Sequence, residues 1–198
     1  MKIEAFCAKE DATSLYRALF PLQALAEKGL AQFKIHYGED LYPSLDMDLA
    51  IFQRTVTVES LNLMRHLKTD GVPVIYDLDD DLPNLDRTNI SQLILGHDRR
   101  HIALHHKALT DPQNAYILEV LKDYAPLAKM KTEDVCAFAQ GNFSRAIQFA
   151  KECDLLTVST ESLRKTYSGW GCKHIKVLEN QEKLSEWKNV MKTPVLGR

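Results

Sequence analysis

Residues 72–82 read Val-Pro-Val-Ile-Tyr-Asp-Leu-Asp-Asp-Asp-Leu, an apolar run that ends in four acids within five positions. A continuous β-rich apolar run of this kind suits a strand buried on both faces, the inside of a parallel sheet. Open α/β sheets bind ligands just outside the carboxyl ends of such strands. Crowding carboxylates there costs repulsion, so the run points to a site, with a solvated turn that caps the next helix as the plain alternative.

The rest of the chain supplies the rhythm of such a sheet. Strands are expected at Lys2–Cys7, Gln32–His36, Leu49–Gln53, Val74–Asp77, Leu155–Ser159 and Ile175–Leu178. Helices are expected over Thr13–Lys28, with Leu15, Leu19, Leu22 and Leu25 in helical period, and over Val58–Lys68 and Glu161–Tyr167. From about residue 83 to 152 the pattern holds no strand, only helical stretches at Ser91–His106, Pro112–Asp123 and Thr132–Glu152. Some seventy residues exceed any ordinary βα connection, so they read as a helical insertion leaving from the acidic cluster. The expected fold is α/β: a Rossmann-like three-layer α/β/α sandwich, with a mainly parallel sheet of about six strands and the insertion between strands four and five. Residues 1–198 read as one such domain, with 181–198 as a linker that includes the polar helical stretch Glu182–Lys192.

Composition narrows the class. A formal net charge of −2 gives no electrostatic case for nucleic acid, and Arg99, Arg100 and Lys107 make too short a basic patch. No apolar stretch is long enough to span a bilayer, and Met1–Phe6 turns polar too soon for a signal peptide. Cys7, Cys136, Cys153 and Cys172 form no CxxC pair, so reduced thiols and a cytoplasmic location are expected.

Three segments then line up in order: Asp48-Leu-Ala-Ile-Phe-Gln-Arg54, Val74-Ile-Tyr-Asp-Leu-Asp-Asp80, and Asp154-Leu-Leu-Thr-Val-Ser-Thr-Glu161 with Lys176-Val-Leu-Glu-Asn180 after it. With Tyr16-Arg17 and Pro21 in the first helix, the chain resembles the N-terminal domain of bacterial and phage GT-B glycosyltransferases of the group-1, family 4-like type. The resemblance covers nearly the whole chain. It implies a nucleotide-sugar co-substrate, a sugar or glycan acceptor, no metal cofactor, and a second domain or second protomer to carry the donor site. That second domain would begin where this sequence stops. The turn after the first strand, Ala8-Lys9-Glu10-Asp11-Ala12-Thr13, also lacks the glycines of a pyrophosphate cradle. The isolated chain is therefore expected to be inactive.

The candidate catalytic residues are Asp77, Asp79 and Asp80, since a carboxylate can take the proton of an acceptor hydroxyl. A divalent cation held by these oxygens is a less favoured reading. Candidate substrate-binding residues are Arg17, Gln53, Arg54, Thr160, Glu161 and Asn180. Arginine could grip a phosphate or merely neutralise the acids, and Thr160 could simply cap a helix. His97, His101 and His105, spaced four apart with His106 beside them, would share a helical stripe able to hold a transition metal, or form a solvated face. Trp170 and Trp187 read as packing residues. Two other readings stay open: a stand-alone sugar-, nucleotide- or partner-binding module, and a haloacid-dehalogenase-type phosphatase built on Asp77-Leu-Asp79.

Overall fold

In a computed structural model, residues 1–179 are described, apart from 115, 117, 118 and 120. Asn180, Trp187 and the expected helix at Glu182–Lys192 thus lie outside the described residues, as does part of the expected helix at Pro112–Asp123. One sheet of six parallel strands organises the molecule: β1 (Lys2–Cys7), β2 (Gln32–Tyr37), β3 (Leu49–Gln53), β4 (Val74–Leu78), β5 (Leu155–Val158) and β6 (Ile175–Val177). Their order is 2-1-3-4-5-6, so the chain runs outward from β1 to one edge, returns to β3, and then steps to the other edge. Right-handed connections that step in opposite directions put their helices on opposite faces. The result is a Rossmann-like α/β/α sandwich.

Side-chain alternation divides the core accordingly. On one face Phe6, Phe52, Tyr76, Leu78 and Val158 meet α3 (Val58–Thr69), α6 (Thr132–Glu152) and α7 (Glu161–Gly169). Phe149 of α6 is the aromatic centre of this layer, with its ring 4.7 Å from Tyr76 and 5.5 Å from Phe52. On the other face Ile3, Ala5 and Cys7 pack on Ala18 and Leu22 of the first helical segment.

That first segment is not uniform. A short α1 (Ala12–Ser14) opens into a wide π turn, Leu15–Leu19, before α2 (Phe20–Glu27). Pro21 offers no backbone N–H, so the hydrogen-bond ladder is already interrupted where the wide turn ends. The turn buries Arg17 and Ala18 against the sheet.

The insertion between β4 and β5 has its own small core of Leu93, Ile102, Leu109, Leu127, Val135 and Ala139. The helix expected over Ser91–His106 is in fact two, α4 (Gln92–Leu95) and α5 (Arg99–Thr110). The backbone turns extended at Gly96 (φ −73°, ψ 149°), a place that suits glycine because a Cβ there would lie 2.5 Å from the Gln92 carbonyl oxygen. Asp98 then caps α5 by accepting from Arg100 N at 2.9 Å.

This break also dissolves the expected histidine stripe. His97 precedes α5, and its ring lies 4.9 Å from that of Phe143. His105 Nε2 contacts the Arg87 carbonyl at 2.8 Å, while His106 is buried between Thr132 Oγ1 and the Leu127 carbonyl, each at 3.0 Å. Among the described residues no group of three His, Cys, Asp or Glu could hold a metal ion. Nor is any helix among them long and apolar enough to cross a membrane.

Candidate functional site

The strand order reverses between β1 and β3, and a crevice opens at their carboxyl ends, where doubly wound sheets bind ligands. A cavity of about 360 Å³ lies there. The turn after β1 contributes Ala8, Lys9 and Asp11 to it, and the end of β3 contributes Gln53, Arg54 and Val56. The insertion forms the opposing wall with Ser91, Ile94, Leu95, Asp123 and Tyr124. Lys9 Nζ spans the mouth, 3.9 Å from Asp11 and 3.6 Å from Asp123. A larger cavity, about 720 Å³, lies at the opposite edge beside Met1, Lys2 and Gln32. Its charges are already matched, with Lys2 on Asp46 and its backbone N–H on Asp48, and that edge is not where such sheets bind ligands.

The acidic run splits into three separate environments. Asp77 is on β4 and faces the first helical segment, where Arg17 reaches it from the π turn. Arg17 Nε donates to Asp77 Oδ2 at 3.0 Å, Nη2 donates to Oδ1, and Thr157 Oγ1 donates to Oδ1 at 2.5 Å. Both charged side chains are at most 2% exposed. A third donor of Arg17, Nη1, holds the carbonyl of Leu178 just past β6. Asp77 and Arg17 thus form a sealed knot that ties the first helical segment to β4, β5 and the end of β6.

Asp79 and Asp80 lie beyond the end of β4 and meet Arg54 instead. Arg54 Nη2 is 2.9 Å from Asp80 Oδ2, and Nε is 3.8 Å from Asp79 Oδ1. Nη1 of Arg54 donates to Thr13 Oγ1 at 3.2 Å. Among the described non-glycine residues, Arg54 alone has positive φ, at 56°. Such a conformation is uncommon for a long side chain, and strain of this kind gathers at functional sites. Its backbone N–H donates to the Asp77 carbonyl at 3.1 Å, which holds the turn in place. Burial pushes the Asp79 carboxyl up to about 6, and the Asp80 charge adds to the shift while Arg54 opposes it.

Asp81 binds neighbouring side chains, accepting from Asn84 Nδ2 at 3.1 Å and from Thr166 Oγ1 of α7 at 3.3 Å. Tyr167, buried on α7, donates to the Asp80 carbonyl at 2.7 Å and clamps the acidic turn from below. Gln53 is 1% exposed, borders the cavity, and has no partner for Nε2. Thr160 caps α7 by accepting from Leu163 N at 3.2 Å, and Glu161 pairs with Arg164. Neither borders the cavity.

Of the residues singled out in the sequence, the cavity therefore gathers Gln53 and Arg54, with Asp79 and Asp80 joined to it through the Arg54 guanidinium. Arg17 and Asp77 are sealed inside, Thr160 and Glu161 sit at a helix start, and Asn180 is outside the described residues. The insertion, expected to wall or roof the site because it leaves from the acidic cluster, does line the cavity. Its individual wall residues and Tyr167 were passed over, because no local pattern says what a helix far along the chain will face. Lys9 and Asp11 had a usable signal, since the turn after the first strand of a doubly wound sheet always borders its crevice.

The chain matches no protein-family model, no curated protein and no solved structure at a significant level. The chemistry must be read from the cleft itself. All four cysteines are buried free thiols, and burial pushes Cys7 up to about 12, which removes it as a nucleophile at neutral pH. What remains is a concave site with one buried amide, one constrained arginine, and a carboxyl whose affinity for a proton is raised.

Proposed function

We propose that this chain is the acceptor-side domain of a GT-B-type glycosyltransferase, which moves a sugar from a nucleotide-sugar donor to an acceptor hydroxyl. Asp79 is the observation that carries the reading. A carboxyl held near 6 is largely ionised at neutral pH, yet is a stronger base than an ordinary carboxylate. It is therefore suited to take a hydroxyl proton as the sugar bond forms. Arg54 and Asp80 set its orientation and charge, and Gln53 supplies a donor within the cleft. Asp77 keeps a structural role in this reading, because Arg17 and Thr157 already occupy its carboxylate.

The donor's diphosphate belongs in this scheme to a second domain or protomer. The turn after β1 supports that division: Asp11 places a carboxylate on Ser14 N at 3.0 Å, where a phosphate-binding turn would leave the N–H open. No resident cofactor is part of the proposal.

The test is a mass-spectrometric transfer assay over panels of nucleotide sugars and glycosides, using the native gene product and residues 1–198 alone. Transfer is expected from the former and none from the latter, with Asp79→Asn losing about 10²-fold or more in rate. Undiminished transfer by Asp79→Asn would remove the assigned base. Robust turnover by residues 1–198 would refute the division of labour.

A second reading, a non-catalytic sugar- or nucleotide-binding module, is favoured by the single sheet of the described residues, and a native gene product without transfer activity would select it. The phosphatase reading loses support, because its nucleophile would be Asp77, a carboxylate sealed in an ion pair.

A further inference from the structure

Gln53, 1% exposed, lines the cleft at the β1/β3 crossover and leaves its Nε2 without a hydrogen-bond partner. Two more such atoms, Thr55 Oγ1 and Asp79 Oδ1, belong to residues just past the ends of β3 and β4, beside the cavity's lining rather than in it. A buried donor without a partner is costly, so such atoms mark a place that a polar ligand can complete.

The charges decide what kind of ligand. Both cations near the cleft are already engaged, Arg54 by Thr13, Asp79 and Asp80, and Lys9 by Asp11 and Asp123. Four carboxylates surround these two cations, so an incoming phosphate would meet a net negative field. The first helix adds no anion site, because α1 has three residues and Asp11 already caps it. The remaining wall is apolar at Val56, Ile94 and Leu95 and aromatic at Tyr124, and about 360 Å³ suits a small ligand.

We infer that this cleft takes a neutral, polyhydroxylated ring, a glycoside carrying no phosphate or carboxylate. Gln53 Nε2 donates to one of its oxygens, Asp11 and Asp123 accept from its hydroxyls, and its C–H face lies on Tyr124 and Ile94. The inference rests on the reading of this cleft as the acceptor's place and adds the acceptor's chemical class.

Isotope-labelled protein titrated by NMR tests it, with neutral methyl hexopyranosides, glucose 6-phosphate, inorganic phosphate and UDP as the probes. At least one neutral glycoside is expected to shift the Gln53 side-chain amide together with Val56, Ile94 and Tyr124, saturating in the millimolar range. The anionic probes are expected to leave these signals unmoved. Gln53→Leu should weaken glycoside binding about tenfold. Asp123→Asn, an exposed change that leaves the core untouched, should weaken it several-fold even if the Gln53 variant folds poorly. Saturable binding of glucose 6-phosphate or UDP in the cleft, tighter than any neutral glycoside, would overturn the assigned class and leave the acceptor role standing. No probe shifting any cleft signal would overturn the inference, while the acceptor role is judged separately by the transfer assay.

Discussion

Asp79 links stability to pH at the scale of a single carboxyl. Its ordinary value is 3.8 and burial raises it to about 6, so the folded state favours the protonated form. The corresponding stability is fully present below about pH 4 and is lost as pH rises through about 6. Over that window the loss amounts to about 2–3 kcal/mol. Asp79→Asn should therefore melt higher than the parent above pH 6, by several degrees, and show no such advantage near pH 4. Thermal melts from pH 4 to pH 8 check this, and an equal difference at both ends would disprove the linkage. Removing one member of the Arg17–Asp77 pair costs stability instead. Arg17→Met leaves a buried carboxylate without its cation, and is expected to cost about 3–5 kcal/mol in denaturant unfolding. Arg17→Met with Asp77→Leu together should recover most of that loss, because neither charge is then stranded.

At the scale of elements, the six strands were legible because each is a short apolar or alternating run closed by a polar turn, and each stands within two residues of its expected place. The order 2-1-3-4-5-6 was not legible, because the run of strands and helices does not say which strands become neighbours. The break at Gly96 was passed over because helical periodicity runs through it, although a glycine followed by the capping Asp98 is a local signal for it. Gly96→Ala is expected to destabilise the insertion by about 1–3 kcal/mol, visible as earlier hydrogen exchange in α4 and α5 than in the sheet. The site was half legible. Gln53, Arg54 and the acidic run announce themselves at strand ends. The sorting of the acids into a sealed carboxylate and a basic one depends on Arg17, sixty positions before Asp77. No local pattern encodes a contact of that span.

For the whole molecule, the proposed chemistry has a pH signature. If Asp79 takes the acceptor proton, the transfer rate of the native gene product should fall about tenfold for each pH unit below 6, where the carboxyl is protonated. Replacing Asp79 should abolish that limb while the remaining activity stays flat. A limb that persists in Asp79→Asn would assign the titration to another group. The wall supplied by the insertion is the part of the site least tied to the sheet, and Lys9 bridges to it at Asp123. The Arg17 contact with the Leu178 carbonyl has a further consequence. It makes the first helical segment a bracket for the chain's exit from the sheet. The backbone just past β6 is held on a bearing fixed at the opposite end of the sequence, much as a joint takes its alignment from the beam it is bolted to. A change at Arg17 would then free the end of β6, and through Asp77 would also reach the turn that positions Arg54.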